Sequence, residues 1–316
     1  MEQLDKLKNI DWPSLIIAKH NWIEKKLVCH PTNKKQKITA RFYSIPYAGI
    51  QQEIISFSER IADSIENYVF SEKQLQEMRE QDIKPFRKAA EFFGDTNPIV
   101  DGKYGELILY CLCEHVLKTP MVTHKIASLT NVNDQVKGGD GVFIGSYNEN
   151  LSILIGESKI YTTFSKALDS AFDSLNRFNE AYSGSALSHE MFFVRSNISD
   201  NFDIDTLDLL YQAFTPGSDI YNECIKTHPV LIIFEDEDLL KIEVNSMSKE
   251  EAEEKFNTWI EKKREVICDV INEKYKKYPN MASYMLDFFL IPMKNVEHFK
   301  NTLFRKIHGI DFKKNN

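Results

Sequence analysis

The feature that most constrains this chain is a pair of apolar segments, residues 142–144 and 151–160, separated by Tyr147-Asn148-Glu149-Asn150. Short runs rich in β-branched and aromatic residues read as strands, and the Asn-containing break between them reads as a turn. A hairpin closed at Asn148-Glu149 sets Asp140 opposite Glu157, Val142 opposite Ile155 and Ile144 opposite Ile153. Directly paired Cβ atoms lie about 4.5–5.5 Å apart. Alternation puts Lys159 on the same face as Glu157. One face is therefore apolar for most of its length and ends in two carboxylates and an ammonium. The other carries Phe143, Leu154 and Ile160, so both faces are expected to be covered.

The flanking segments supply the cover. Residues 104–117 are apolar nearly all round, the pattern of a buried helix. Phe164, Leu168, Ala171, Phe172, Leu175 and Phe178 mark an amphipathic helix after the hairpin. Residues 191–194 and 230–234 read as two more short buried strands, which makes a mixed α/β core. Before it, residues 50–93 are helical in pattern, with Ser71 starting a second helix. After Lys241 the pattern is helical and charged, with an apolar run at residues 284–291. These breaks divide the chain into an N-terminal extension (1–95), a core (96–240) and a C-terminal helical segment (241–316).

Composition narrows the function. The 316 residues carry 39 basic and 47 acidic side chains, a net charge of −8, which counts against coating nucleic acid by bulk attraction. A local basic groove is still compatible, and residues 19–41 are rich in lysine. The tail cations Lys300, Arg305, Lys306, Lys313 and Lys314 read as a solvated face. The five cysteines form no CxxC pair and read as buried thiols of a reducing compartment. No apolar run approaches the roughly 20 residues of a membrane span, and the first residues lack a signal-peptide core. The expected location is the cytoplasm.

Two carboxylates facing each other on a sheet repel unless something compensates. A divalent cation is one such compensation, and hard oxygen ligands suit Mg²⁺, with Mn²⁺ as the alternative. Lys159 beside it would orient a water or stabilise charge on a scissile phosphate. The reaction class that fits is metal-assisted phosphodiester hydrolysis. A third carboxylate, Glu106, follows Gly105 in the first turn of the buried helix. It reads either as a helix N-terminal acid favoured by the dipole or as another ligand. A strand with a local Glu157–Lys159 ion pair would account for those two residues. It leaves unexplained Asp140 in register, the Gly138-Gly139 opening and the Gly105-Glu106 start of the helix.

Gly105-Glu106 on a helix, Gly139-Asp140 leading a strand, Glu157-x-Lys159 on the next strand and a helix after it resemble the PD-(D/E)xK nuclease superfamily. Gly139 stands where that superfamily has proline. Within it, residues 102–106, 137–142 and 156–161 resemble the HamA family, nuclease subunits of the bacterial Hachiman anti-phage system. The resemblance implies a restriction-endonuclease-like mixed sheet flanked by helices, with an N-terminal extension and C-terminal helices. It implies Mg²⁺-dependent DNA cleavage and a superfamily-2 helicase partner, HamB, that restrains the nuclease. Glu106, Asp140 and Glu157 would be metal ligands, Lys159 the catalytic amine, and the Ser158 carbonyl a further ligand.

Lys137, Lys166 and Arg177 are candidates for holding phosphates, each equally readable as a surface cation. Residues 138–141 lead into a strand, which excludes a phosphate-cradling loop at a helix start. Two other functions fit the same residues. One is a restriction- or repair-type nuclease with another trigger. The other is a non-catalytic subunit that grips DNA or a partner.

Overall fold

The computed structural model describes residues 2–94, 96–123, 139–179, 191–199 and 201–313. Strands β1 (Val28–Cys29), β2 (Asn33–Lys35), β3 (Ile38–Ser44), β4 (Tyr47–Ala48) and β5 (Gln51–Gln52) come first. Strands β6 (Gly141–Tyr147), β7 (Asn150–Tyr161), β8 (Ile225–Glu235) and β9 (Met285–Met293) follow. The helices are α1 (Glu2–Lys8), α2 (Trp22–Lys26), α3 (Ile54–Ala62), α4 (Ile65–Val69), α5 (Glu72–Glu80), α6 (Pro85–Phe93), α7 (Lys103–Leu112) and α8 (Phe164–Asn179). They continue with α9 (Ile204–Ala213), α10 (Asp219–Glu223), α11 (Glu237–Val244), α12 (Lys249–Tyr275) and α13 (Val296–His308).

A seven-stranded mixed sheet runs β1-β3-β9-β8-β7-β6, with β2 also paired to β3. The four strands β3, β9, β8 and β7 are parallel; β6 closes one side antiparallel to β7. The hairpin register is the expected one: Val142 pairs with Ile155 and Ile144 with Ile153. Alternation sorts the sheet into two buried faces. Leu154, Leu231, Ile233, Phe289 and Ile291 pack toward α7 and the N-terminal helices. Val230, Ile232, Phe288 and Leu290 pack toward α8 and α12. A third apolar cluster covers Val142, Ile144, Ile153 and Ile155.

The sheet is curled. Asp287 on β9 is fully buried, accepts Arg41 Nε and Nη2 at 2.8 and 2.9 Å, and accepts the Tyr147 hydroxyl from β6 at 2.5 Å. Flat strands about 4.8 Å apart would hold β6 beyond reach of β9, three positions away. Curling brings the two together.

Several expectations need correction. Residues 191–196 are helical. Met191 and Val194 are buried while Phe192 is 60% exposed, a three-residue spacing rather than strand alternation. The 241–316 segment is not wholly helical, because its apolar run is the interior strand β9. The sheet also takes β3 from the first 95 residues, so the three sequence segments share one sheet. Lys300 is buried, with Nζ donating to the Ile99 carbonyl at 2.7 Å. All five cysteines are free, but Cys29 is exposed and Cys268 half-buried. Lys137 and Gly138 lie outside the described residues. Among the described residues no helix is long and apolar enough to cross a membrane.

Candidate active site

The hairpin is asymmetric, and the site grows from that. Strand β6 begins at Gly141, opposite Gly156, whereas β7 continues to Tyr161 with, among the described residues, only β8 paired beside it. The β7 edge beyond Gly156 therefore has backbone groups with no strand partner among the described residues, and such groups need one. Asp140 supplies it. Its amide donates to the Gly156 carbonyl at 2.9 Å, and its Oδ2 accepts the Ser158 amide at 2.6 Å and the Ser158 hydroxyl at 2.5 Å.

Glu157 and Lys159 lie on the α8 face of β7. Both are largely buried, and the Lys159 ammonium donates to Glu157 Oε1. On α8 the Ser174 hydroxyl and the charge of Arg177, whose Nη2 donates to Ser174 Oγ at 3.0 Å, both favour the ionised form of Glu157. Glu106 enters from the other face, in the first turn of α7, where the fully buried Tyr68 hydroxyl donates to its Oε2 at 2.8 Å.

Close approach of α7 to β7 depends on two glycines. A β-carbon on Gly105 would meet Ser158 Oγ at 2.6 Å, and one on Gly156 would meet Leu109 Cδ2 at 2.7 Å. Without side chains at those two points the helix settles onto the strand and brings Glu106 toward Asp140.

The charges are felt across the group. Burial holds the Asp140 carboxyl well above its ordinary range, and the negative charges of Glu157 and Glu106 add to the effect against Lys159 and Ser158. Burial likewise raises Glu157, with Lys159 opposing. For Lys159, burial disfavours the ammonium, but Glu157 and Asp140 outweigh it and raise its pKa. The three acids and the amine thus form one interacting set.

The donor chemistry fits a hard divalent cation: crowded carboxylate oxygens with only one amine among them. Among the described residues no three His, Cys, Asp or Glu side chains are gathered tightly enough to close on a metal as they stand. Each acid instead holds a donor of the chain: Tyr68 for Glu106, Ser158 for Asp140, Lys159 for Glu157. Beside them opens a cleft of ≈ 480 Å³ whose walls include Asp101, Gly105, Ser158, Lys159 and Lys300.

Lys166 is exposed near the start of α8, and the structure gives it no contact with the acids. Sequence reasoning does not single out Tyr68 or Ser174. Tyr68 sits in a helical apolar pattern that reads as core, and its contact with Glu106 spans 38 residues. Strand alternation points the Ser158 hydroxyl away from Glu157, which leaves it without a role in the sequence reading. It reaches Asp140 because Asp140 lies at the open edge of β7 rather than over one face.

A family model for HamA matches residues 17–307, which takes in the whole sheet from β1 to β9 as well as the acids. The chain belongs to the HamA family. No curated protein matches it. HamA membership points to a role in Hachiman anti-phage defence, and the mixed seven-stranded sheet flanked by helices is consistent with an α/β nuclease-like core.

Proposed function

We propose that this HamA-family chain is a metal-dependent deoxyribonuclease, the effector of a defence complex held in check by a helicase partner of the HamB kind. The observation that carries the reading is the convergence of Asp140, Glu157, Lys159 and Glu106 at the open end of β7, beside a cleft. In this reading Glu106, Asp140 and Glu157 hold Mg²⁺, Mn²⁺ being the alternative, with the Ser158 main-chain carbonyl as a further oxygen. When bound, the ion would supply Lewis-acid polarisation of a phosphate oxygen and a water more acidic than bulk water.

The chain's own groups do the rest. Lys159, held close by Glu157, places a positive charge where the scissile phosphate accumulates negative charge. Ser158 fixes the Asp140 carboxylate through two hydrogen bonds, and Tyr68 fixes Glu106. The present pairing of each acid with an internal donor fits a resting enzyme. Ser158 engages only Oδ2 of Asp140 and Lys159 only Oε1 of Glu157, so these contacts can persist while the acids draw together on a shared ligand, a change that a partner or substrate can bias.

Incubation with plasmid DNA, with Mg²⁺ or with EDTA, and with or without the helicase, tests the reading. Cleavage that needs Mg²⁺ and is weak in the isolated chain supports it. Cleavage triggered by something other than the helicase complex would point to a restriction- or repair-type enzyme. DNA or partner binding with no cleavage under any condition would make the chain a non-catalytic subunit.

A further inference from the structure

A second cleft, of ≈ 420 Å³, opens at the far end of α7 from the acids, between α2 with the residues preceding it and helices α3 and α4. His20 in its wall places it. Its Nε2 lies 3.2 Å from Glu114, and its ring packs edge-on against Tyr110 at 5.1 Å. Glu114 is eight residues beyond Glu106, about 12 Å along a helix axis.

The lining is strongly cationic for a chain of net charge −8: Lys19, Lys25, Lys26 and Arg60 against Asp63 alone. Arg60 is paired with Asp63 at 3.0 Å and Lys26 with Glu53 at 3.2 Å. His20 is matched by the buried Glu114. Lys19 and Lys25 are exposed, and neither has an ion-pair partner among the described residues. Between them sits Trp22, half-buried, its Nε1 without an acceptor among the described residues.

We propose that this cleft holds the phosphates of a single-stranded nucleic acid, at a site separate from the acids. The free cations are two lysines six residues apart, point charges on flexible stems that suit successive phosphates along a strand. A lone phosphate is better held by convergent bidentate donors, and the one arginine here is already engaged by Asp63. An aromatic ring set among lysines is the pairing that strand-binding surfaces use, phosphate attraction with base stacking, whereas the carboxylates of an acidic peptide have no π-face to stack on the ring.

The test measures fluorescence anisotropy of a short labelled single-stranded oligonucleotide with the full chain in EDTA, so that cleavage plays no part. Wild type is compared with Lys19→Ala/Lys25→Ala. The control is Lys262→Ala/Lys277→Ala, which makes the same change in net charge on and just after α12, across the sheet. Without the two ammonium groups that meet phosphates, affinity at about 0.1 M salt falls roughly tenfold to thirtyfold. The slope of log K against log salt falls by about 1.4, at roughly 0.7 per single-strand phosphate. The control keeps the wild-type affinity, and inorganic phosphate does not displace the strand. Equal weakening in both variants would reduce the effect to bulk charge and overturn the site. So would unchanged affinity in the Lys19/Lys25 variant, displacement by inorganic phosphate, or polyglutamate binding in place of the strand. Because EDTA removes the metal, failure here leaves the cleavage reading standing, and failure of cleavage leaves this one.

Discussion

The Gly105 backbone stands so close to Ser158 that a β-carbon on Gly105 would lie 2.6 Å from the Ser158 hydroxyl. That hydroxyl is the one that holds Asp140, at 2.5 Å. Gly105→Ala therefore acts on Asp140 through Ser158. Overpacking of this kind costs about 1–3 kcal/mol. The expected result is a folded protein with modestly lowered stability and cleavage reduced tenfold or more. Gly102→Ala, where a β-carbon meets nothing within 4 Å, leaves cleavage near wild type. Equal activity in the two variants would show that the close approach does not serve the site.

Tyr68 fixes Glu106 with a hydrogen bond of 2.8 Å from a fully buried ring. Tyr68→Phe keeps the ring and removes the donor. Partners that orient a metal ligand are worth about 10–100-fold in metal affinity or activity. The Mg²⁺ concentration for half-maximal cleavage should rise by that order while the denaturation midpoint falls little. An unchanged Mg²⁺ requirement would remove Glu106 from the ligand set.

Asp287 ties Arg41 of β3 and Tyr147 of β6 to β9 at one buried point. Asp287→Ala leaves a guanidinium and a phenol without their acceptor, at a cost of about 3–5 kcal/mol. Urea unfolding measures it. A loss under about 1 kcal/mol would mean that the curl of the sheet does not depend on this cluster.

Burial lowers the pKa of His228 to about 4, although its contact with the Ile155 carbonyl works the other way. An unfolded histidine titrates near 6.5. Between those values the unfolded state binds the extra proton, so this contribution is complete above about pH 6.5 and is lost as pH falls toward 4. From pH 7 to pH 5 the wild type should lose about 2 kcal/mol more than His228→Gln, measured by urea unfolding at each pH. Parallel losses in the two proteins would place the acid sensitivity elsewhere.

The hairpin register was legible because a turn and strand alternation fix it locally, and with it the neighbourhood of Asp140, Glu157 and Lys159. Strand β9 was not legible as a strand, since it is buried on both faces and its apolar run, set between charged helices, has no alternation. Residues 191–194 failed for the opposite reason: four residues are too few to separate the two periods. Tyr68 and the Arg41–Asp287 pair depend on contacts 38 and 246 residues apart, which no local pattern encodes.

The most direct test of the central claim is plasmid cleavage by Lys159→Ala and Glu157→Ala in the presence of the helicase and Mg²⁺, with circular dichroism and partner pull-down on the same preparations. The account predicts that both variants fold and bind the partner as wild type does, yet cut no DNA. Full cleavage by either folded variant would contradict it.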